Sequence, residues 1–354
     1  VFFYLAWNYF RFVLIIFSAL QVFFISIDSL KYLDQLPSSA NLIILFFVYD
    51  FLYALNYTLP ISILLASIIF YLNLTKSNQY TAFLALGYSK RKILSPILMV
   101  STFLILFYIG LNATPFVYAQ EKAEAIISQG NFSNITEDLL VKYKDNYVYF
   151  GKIYPLIQKA ENIKVFKLDS NGILENFAQS KEAHFIDNYW VMNQAIVSSV
   201  PKQLILGAKG LEVKEEEEFR ILKGFRPKVL DTIYQNKPSV SIIDAFQSLH
   251  ILKKQEANHT KIRAILYSFI LVPFFVPLTI MIIAFFIPSL ARYSNLALLG
   301  FIFIVLSLVI WGLFFAFGKM SVSGLLSPEL MLLIPLSLLC LLSLFYISRI
   351  NFKM

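Results

Sequence analysis

One cysteine, three histidines and the lack of any common catalytic signature exclude much of what a chain of 354 residues could be. Cys340 lies inside the last apolar run, so no intrachain disulfide can form and any water-exposed domain must be held by packing alone. His184, His250 and His259 are scattered along the chain, and with one cysteine they do not make a structural zinc site. No G-x-x-x-x-G-K-S/T loop occurs, which excludes nucleotide hydrolysis by the usual P-loop route, and H-E-x-x-H and G-x-S-x-G are missing too. No cofactor or metal is expected in this chain. Charge is also scarce: 15% of residues are charged and 58% are hydrophobic, against about 25% charged in a soluble domain. That balance describes an integral membrane protein and argues against a soluble enzyme. The formal net charge of +8 is not a nucleic-acid signature. Many of the cations flank apolar runs, where they set topology, and the run Glu215–Glu218 would repel phosphates.

What is present is two blocks of membrane-length apolar sequence around a polar middle. Candidate spans cover residues 9–30, a stretch within 41–75, 93–115, 263–287, 294–317 and 328–348. The first begins near Trp7 and lacks an A-x-A cleavage site, so it reads as a retained span. Pro60 is expected to divide the second stretch into an outer piece and the span proper, and Pro273 and Pro277 to kink the fourth span. Arg11, Lys76, Lys90, Arg91, Lys92, Arg292, Arg349 and Lys353 define one side, the cytoplasm. Both termini then lie inside and the middle lies outside. The domains are therefore 1–115, with a cytoplasmic helix at about 77–89, then 116–261 and 262–354. The outer domain reads as antiparallel β. Leu140–Phe150 and Ile163–Leu168 are strand-like, and Ser170-Asn171-Gly172 and Asp187-Asn188 are hairpin turns, because Asn and Gly accept positive φ. Trp190, Met192, Gln194 and Ile196 are expected to share one strand face, and residues 241–257 read as helical.

Three features carry candidate function. In the loop 76–92, Tyr80, Phe83, Leu84 and Gly87 fall at i, i+3, i+4 and i+7, a short apolar stripe between basic ends. It is either a helix lying in the lipid interface or a coupling helix that docks on a separate ATPase. Lys31, three residues before Asp34, closes an apolar helix. It either snorkels to the headgroups and pairs with Asp34, or faces a cavity and binds a lipid phosphate. Asp28 and Asp50 are weaker candidates of the same kind, and Lys261 and Arg263 could add positive potential to the same rim. The outer domain's aromatics, Tyr147, Tyr149, Phe166, Phe177, Phe185 and Trp190, are either sandwich core or the lining of an open trough for acyl chains.

Over essentially its whole length the chain resembles the LptF/LptG permeases of the lipopolysaccharide export ABC transporter, and LptG most. The segment Ser29-Leu30-Lys31-Tyr32-Leu33-Asp34-Gln35-Leu36 is similar to LptG's exit from the first span. Leu59-Pro60 and the apolar run after it look like the family's second span. Phe83-Leu84-Ala85-Leu86-Gly87-Tyr88-Ser89 resembles its coupling segment, and Asp145–Phe150 and Trp190-Val191-Met192 resemble its periplasmic strands. The resemblance implies a six-span α-helical membrane protein with an inserted antiparallel β-jellyroll in the periplasm, resident in the bacterial inner membrane. It implies a non-enzymatic subunit that extracts lipopolysaccharide or lipooligosaccharide, with an LptF-like second permease, an LptB-like ATPase dimer that binds the ATP, and LptC-like and LptA-like periplasmic partners. It places Lys31, with Asp34, Lys261 and Arg263 around it, at the lipid, and Gln79, Tyr80, Phe83, Leu84 and Gly87 at the ATPase. Two features depart from the family. Gln79 stands near where a glutamate is usual, and Pro37 and Ser38 replace lysines. A reading from another class, a membrane-anchored ligand sensor or scaffold, would need a cytoplasmic output domain, and the inner loops are all short.

Overall fold

The computed structural model describes residues 1–128, 136–143, 146–155, 157–169, 172–201, 210–227, 240–251, 256–293 and 295–350. It divides into two units, a helical bundle (Val1–Ala123, Ser241–Ile243 and Gln255–Met354) and an inserted β unit (Glu124–Val240 and Asp244–Lys254). The Ser170-Asn171 turn, Asp145 and Lys353 lie outside the described residues.

The bundle contains six helices long and apolar enough to cross a membrane. Helix α1 (Phe2–Leu30) is followed by α2 (Ala40–Lys76), the short α3 (Gln79–Ala85) and α4 (Lys90–Asn112). The fourth, fifth and sixth spans are His259–Phe286, Leu296–Val322 and Glu329–Arg349. Helix α2 is the axis: 78% of its most apolar stretch is buried, against 11% for α1 and for the sixth span. Small residues let neighbours approach it, namely Ala54, Ser62, Ala66 and Ser67 on α2 itself. On the fifth span, a Cβ at Gly300 would come within 2.6 Å of Leu72 Cδ1.

Pro60 does not divide the second stretch, as its lack of a backbone donor led us to expect; α2 runs through it for 37 residues. Hydroxyls on either side of it bond back to carbonyls one turn earlier in the same helix. Thr58 Oγ1 donates to the Ala54 carbonyl at 3.0 Å and Ser62 Oγ to the Thr58 carbonyl at 2.5 Å. Thr58 also donates to Gln21 Oε1, while Gln21 Nε2 donates to the Phe51 carbonyl, both at 2.5 Å, so a buried amide stitches α1 to α2. In the fourth span the hydrogen-bonding register changes just ahead of its prolines, through a π turn at Tyr267–Leu271 and a 3-10 turn at Val272–Phe274.

The β unit follows the short helix α5 (Ala119–Ile127). Its described strands are β1 (Thr136–Tyr143), β2 (Asn146–Tyr154), β3 (Lys159–Leu168), β4 (Leu174–Ile186), β5 (Tyr189–Ser199) and β6 (Glu212–Ile221). They form one antiparallel sheet in sequential order. The run Leu140–Phe150, expected to be strand-like, divides between two strands: Tyr143 pairs with Asn146, so its alternating apolar residues fall on neighbours. Asp187 and Asn188 turn β4 into β5 with φ of 49° and 68°. The expected face of β5 holds for Trp190 and Met192, both fully buried. It fails at Gln194, whose φ of 48° turns it outward and hands the inward place to Ala195. Trp190 carries one end of the core. Its Nε1–H donates to the Phe225 carbonyl at 2.8 Å, and Tyr143 Oη donates to the Lys223 carbonyl at 2.7 Å. The chain after β6 is thereby tied over Phe150 and Trp190, whose ring centroids lie 5.3 Å apart.

Trp190→Phe should remove that tie and leave a small void. The opening free energy read from hydrogen exchange of β5 amides should fall by about 2 kcal/mol. Unchanged exchange would mean the tie holds nothing.

Candidate functional sites at the two ends of the bundle

Helix α1 presents Phe24, Asp28 and Lys31 at i, i+4 and i+7, so they share one face. Phe24 stacks on Tyr57 of α2, with centroids 5.6 Å apart, and Tyr57 meets Phe315 of the fifth span at 5.7 Å. Tyr53 closes the group, its hydroxyl 3.1 Å from that of Tyr57, and Trp311 stacks on Phe315 at 5.9 Å. Three helices thus meet in one aromatic junction. Lys31 stands two turns beyond Phe24, a rise of about 10 Å. Lys319 stands one turn beyond Phe315, with Nζ 5.5 Å from that ring. Both cations therefore rise from the same end of an apolar floor.

The rim expected from sequence is rearranged. Lys31 pairs with Asp28, one turn back, and not with Asp34, which is exposed in a 3-10 turn at Leu33–Gln35. The helix geometry explains the choice: three residues back lies on the same face, whereas the chain leaves the helix before Asp34. The Lys31 side chain remains 62% exposed, while that of Asp28 is 11% exposed. The hydrogen bond to Asp28 pushes the ammonium above the ordinary lysine value, so it keeps its charge throughout the physiological range. Arg263 is committed elsewhere, its Nη1 2.9 Å from Glu329 Oε1 at the start of the sixth span. Lys261 is half-buried at the start of the fourth span. Among the described residues no ion pair joins Lys261 or Arg263 to Asp34. Sequence reasoning passed over Lys319. The available signal was its place one turn beyond Phe315, near the end of a span.

At the other end, α3 is an elbow between α2 and α4. Asn78 enters it at φ 58°, and Gly87 leaves it at φ 84°. The exit is a Schellman cap: Tyr88 N–H donates to the Phe83 carbonyl and Gly87 N–H to the Leu84 carbonyl, both at 3.0 Å. The rings of Phe83 and Tyr88 pack edge to face across it. Ser89 Oγ then caps α4, accepting from Lys92 N–H at 3.3 Å. The sequence Phe83–Ser89 is therefore a stop followed by a start.

The expected stripe splits into two roles. Tyr80 is 2% exposed, in one core cluster with Tyr9 and Tyr71, and Leu84 packs against that cluster. These two anchor the elbow to its own bundle, where direct contact with a partner had been expected. The helix ends at Ala85, too early to keep Gly87 on the stripe, and Gly87 serves the cap. Gln79 Oε1 receives the Tyr4 hydroxyl at 3.5 Å. What remains open is an apolar groove of ≈ 380 Å³ lined by Val1, Tyr4, Gln79, Ala82, Phe83 and Leu86. Leu86, within the coupling segment but not among the expected contact residues, is 73% exposed. Among the described residues no group of three or more His, Cys, Asp or Glu could hold a metal ion.

A family model described as "Lipopolysaccharide export system permease LptF/LptG" matches residues 3–349. No curated protein matches the chain.

Gly87→Ala meets no atom within 4 Å but is strained at positive φ. It should cost the elbow about 1 kcal/mol, and Gly87→Asn less, because asparagine tolerates that region. Limited proteolysis of the 77–89 segment should accelerate in that order. Equal rates for the two variants and the parent would refute the cap's role.

Proposed function

The chain belongs to the LptF/LptG family of lipopolysaccharide export permeases, and from that membership we propose that it is one half of an ATP-driven exporter drawing lipopolysaccharide or lipooligosaccharide out of the inner membrane. The observation that carries the reading is the aromatic junction under two cations. It is a surface that matches an amphiphile with apolar chains and an anionic head. Acyl chains lie along Phe24, Tyr57 and Phe315, and the head's phosphates meet Lys31 and Lys319. Magnitudes favour the exchange. Ion pairs open to water are worth about 0–1 kcal/mol, and the Lys31–Asp28 pair is open on its lysine side. A charge-assisted bond to a phosphate partly removed from water is worth about 1.5–3 kcal/mol. Asp28 therefore holds the ammonium in position without competing strongly for it.

In this reading the 76–92 elbow faces the cytoplasm and the β unit, within 116–261, faces the periplasm. The elbow's groove takes a surface of an LptB-like ATPase dimer, which binds the ATP. With Gln79 where the family's acid would stand, docking rests on apolar contact at Phe83 and Leu86. The segment Ser29–Leu36 favours an LptG-like place beside an LptF-like permease. The β unit hands the lipid towards LptC-like and LptA-like proteins.

Lys31→Glu should lower export at least tenfold, equivalent to about 1.4 kcal/mol or more, while the complex still assembles. Phosphate-dependent transfer of lipopolysaccharide from proteoliposomes measures this, and export at the parent's rate would remove Lys31 from the lipid's path. Leu86→Asp or Phe83→Asp should strip off the ATPase, because a charge buried without a partner costs about 3 kcal/mol or more. Undiminished co-purification of the ATPase with both variants would refute the docking surface.

A further inference from the structure

The docking elbow belongs by chain to the first three spans, yet hydrogen bonds tie it to the last three. Thr81 Oγ1 on α3 donates to the Ser289 carbonyl at 2.5 Å, just past the end of the fourth span. Thr75 Oγ1, at the end of α2, reaches the neighbouring Pro288 carbonyl at 3.4 Å. In the first turn of α4, Arg91 turns its guanidinium onto the end of the sixth span. Nη2 donates to the carbonyls of Ile347 and Ser348 at 2.9 Å each, and Nε donates to Ile347 at 3.2 Å. The last four carbonyls of a helix have no donor inside it and carry the negative end of its dipole. A planar, permanently charged fork satisfies two of them at once.

We propose that Arg91 and Thr81 are positioning residues that transmit displacement of the docking elbow into the fourth and sixth spans. The inference rests on the permease reading and adds its linkage. The acceptors are main-chain carbonyls, so a pull on Arg91 or Thr81 moves the backbone of the other half directly. No side-chain rotation of the acceptor can absorb it. Apolar packing between helices slides with little resistance; a bond to a carbonyl either follows or breaks. Arg91 is exposed, and a cap of this kind is small beside the packing of a buried helical core. Its removal leaves the bundle folded, and what it contributes is registration between the two halves.

The test uses the whole exporter in proteoliposomes and counts lipopolysaccharide molecules released per ATP hydrolysed. Arg91→Gln and Thr81→Val should assemble and hydrolyse ATP as the parent does. Their lipid yield per ATP should fall about fivefold or more, the lower range of a coupling free energy. Arg91→Lys should recover much of the loss, since an ammonium still reaches one carbonyl. Yield at the parent's level in the Arg91→Gln/Thr81→Val double variant would overturn the proposal. So would a proportional loss of assembly, hydrolysis and export, the mark of a purely structural bond. A second measurement does not need transport: spin labels at Lys92 and Leu344, with Cys340→Ser, should keep one narrow distance with and without nucleotide. That distance should broaden in Arg91→Gln, and an unchanged distribution there would also overturn the linkage. If the parent complex releases no lipid on ATP, the permease reading falls and the linkage with it. If the parent exports and Arg91→Gln matches it, only the linkage falls.

Discussion

The bundle depends on an amide buried between its first two helices. Gln21 gives its N–H to the Phe51 carbonyl and takes the Thr58 hydroxyl on its oxygen. A polar side chain left unpaired in hydrocarbon costs several kcal/mol, so α1 has one axial register against α2 that avoids the penalty. That register places Phe24, one turn further along, against Tyr57, and places Lys31 two turns above Phe24. Apolar helix faces alone would slide along one another at small cost. The outer site is thus set by a polar contact that takes no part in binding.

The two ends of the bundle use opposite kinds of bond. At the end that the proposed reading places outside, the Lys31–Asp28 pair is exposed on the lysine side, where a lipid's anion would meet it. At the inner end the elbow is fixed by a Schellman cap, a buried tyrosine and donors to backbone carbonyls. None of those has a ligand that could displace it. In the proposed reading, a surface that releases its cargo would be built from weak, solvent-exchanged contacts, and a lever from bonds to main-chain carbonyls.

The β unit meets a different constraint, the lack of any disulfide. One end of its sheet is closed by Trp190, Phe150, Tyr143 and Phe225, each aromatic body packed against the next and two of their polar tips bonded to the chain after β6. On the outward face, Lys159 bridges Glu161 and Glu182 of two strands, an exposed pairing that keeps that face soluble and contributes little energy. Buried alternation therefore does most of the stabilising. It is interrupted where Gln194 turns outward at positive φ.

Much of this was legible because the period and length of apolar runs are one-dimensional signals. Six spans, an antiparallel insert and the Asp187-Asn188 turn follow from residue types whose backbone preferences are local. The sequence also singled out Lys31 and Phe83. It could not say that Pro60 would be carried through α2, because the local cost of a proline is set against packing along a helix that is mostly buried. Nor could it say that Tyr80 points inward, that Lys31 turns to Asp28, or that Arg263 is taken by Glu329. Those are choices between partners of similar chemistry, decided by which backbones approach. Composition and periodicity by themselves determined what kind of protein this is and where its spans lie. Only the tertiary structure decided which polar groups face one another, because the choice of partner depends on distances across helices that are far apart along the chain.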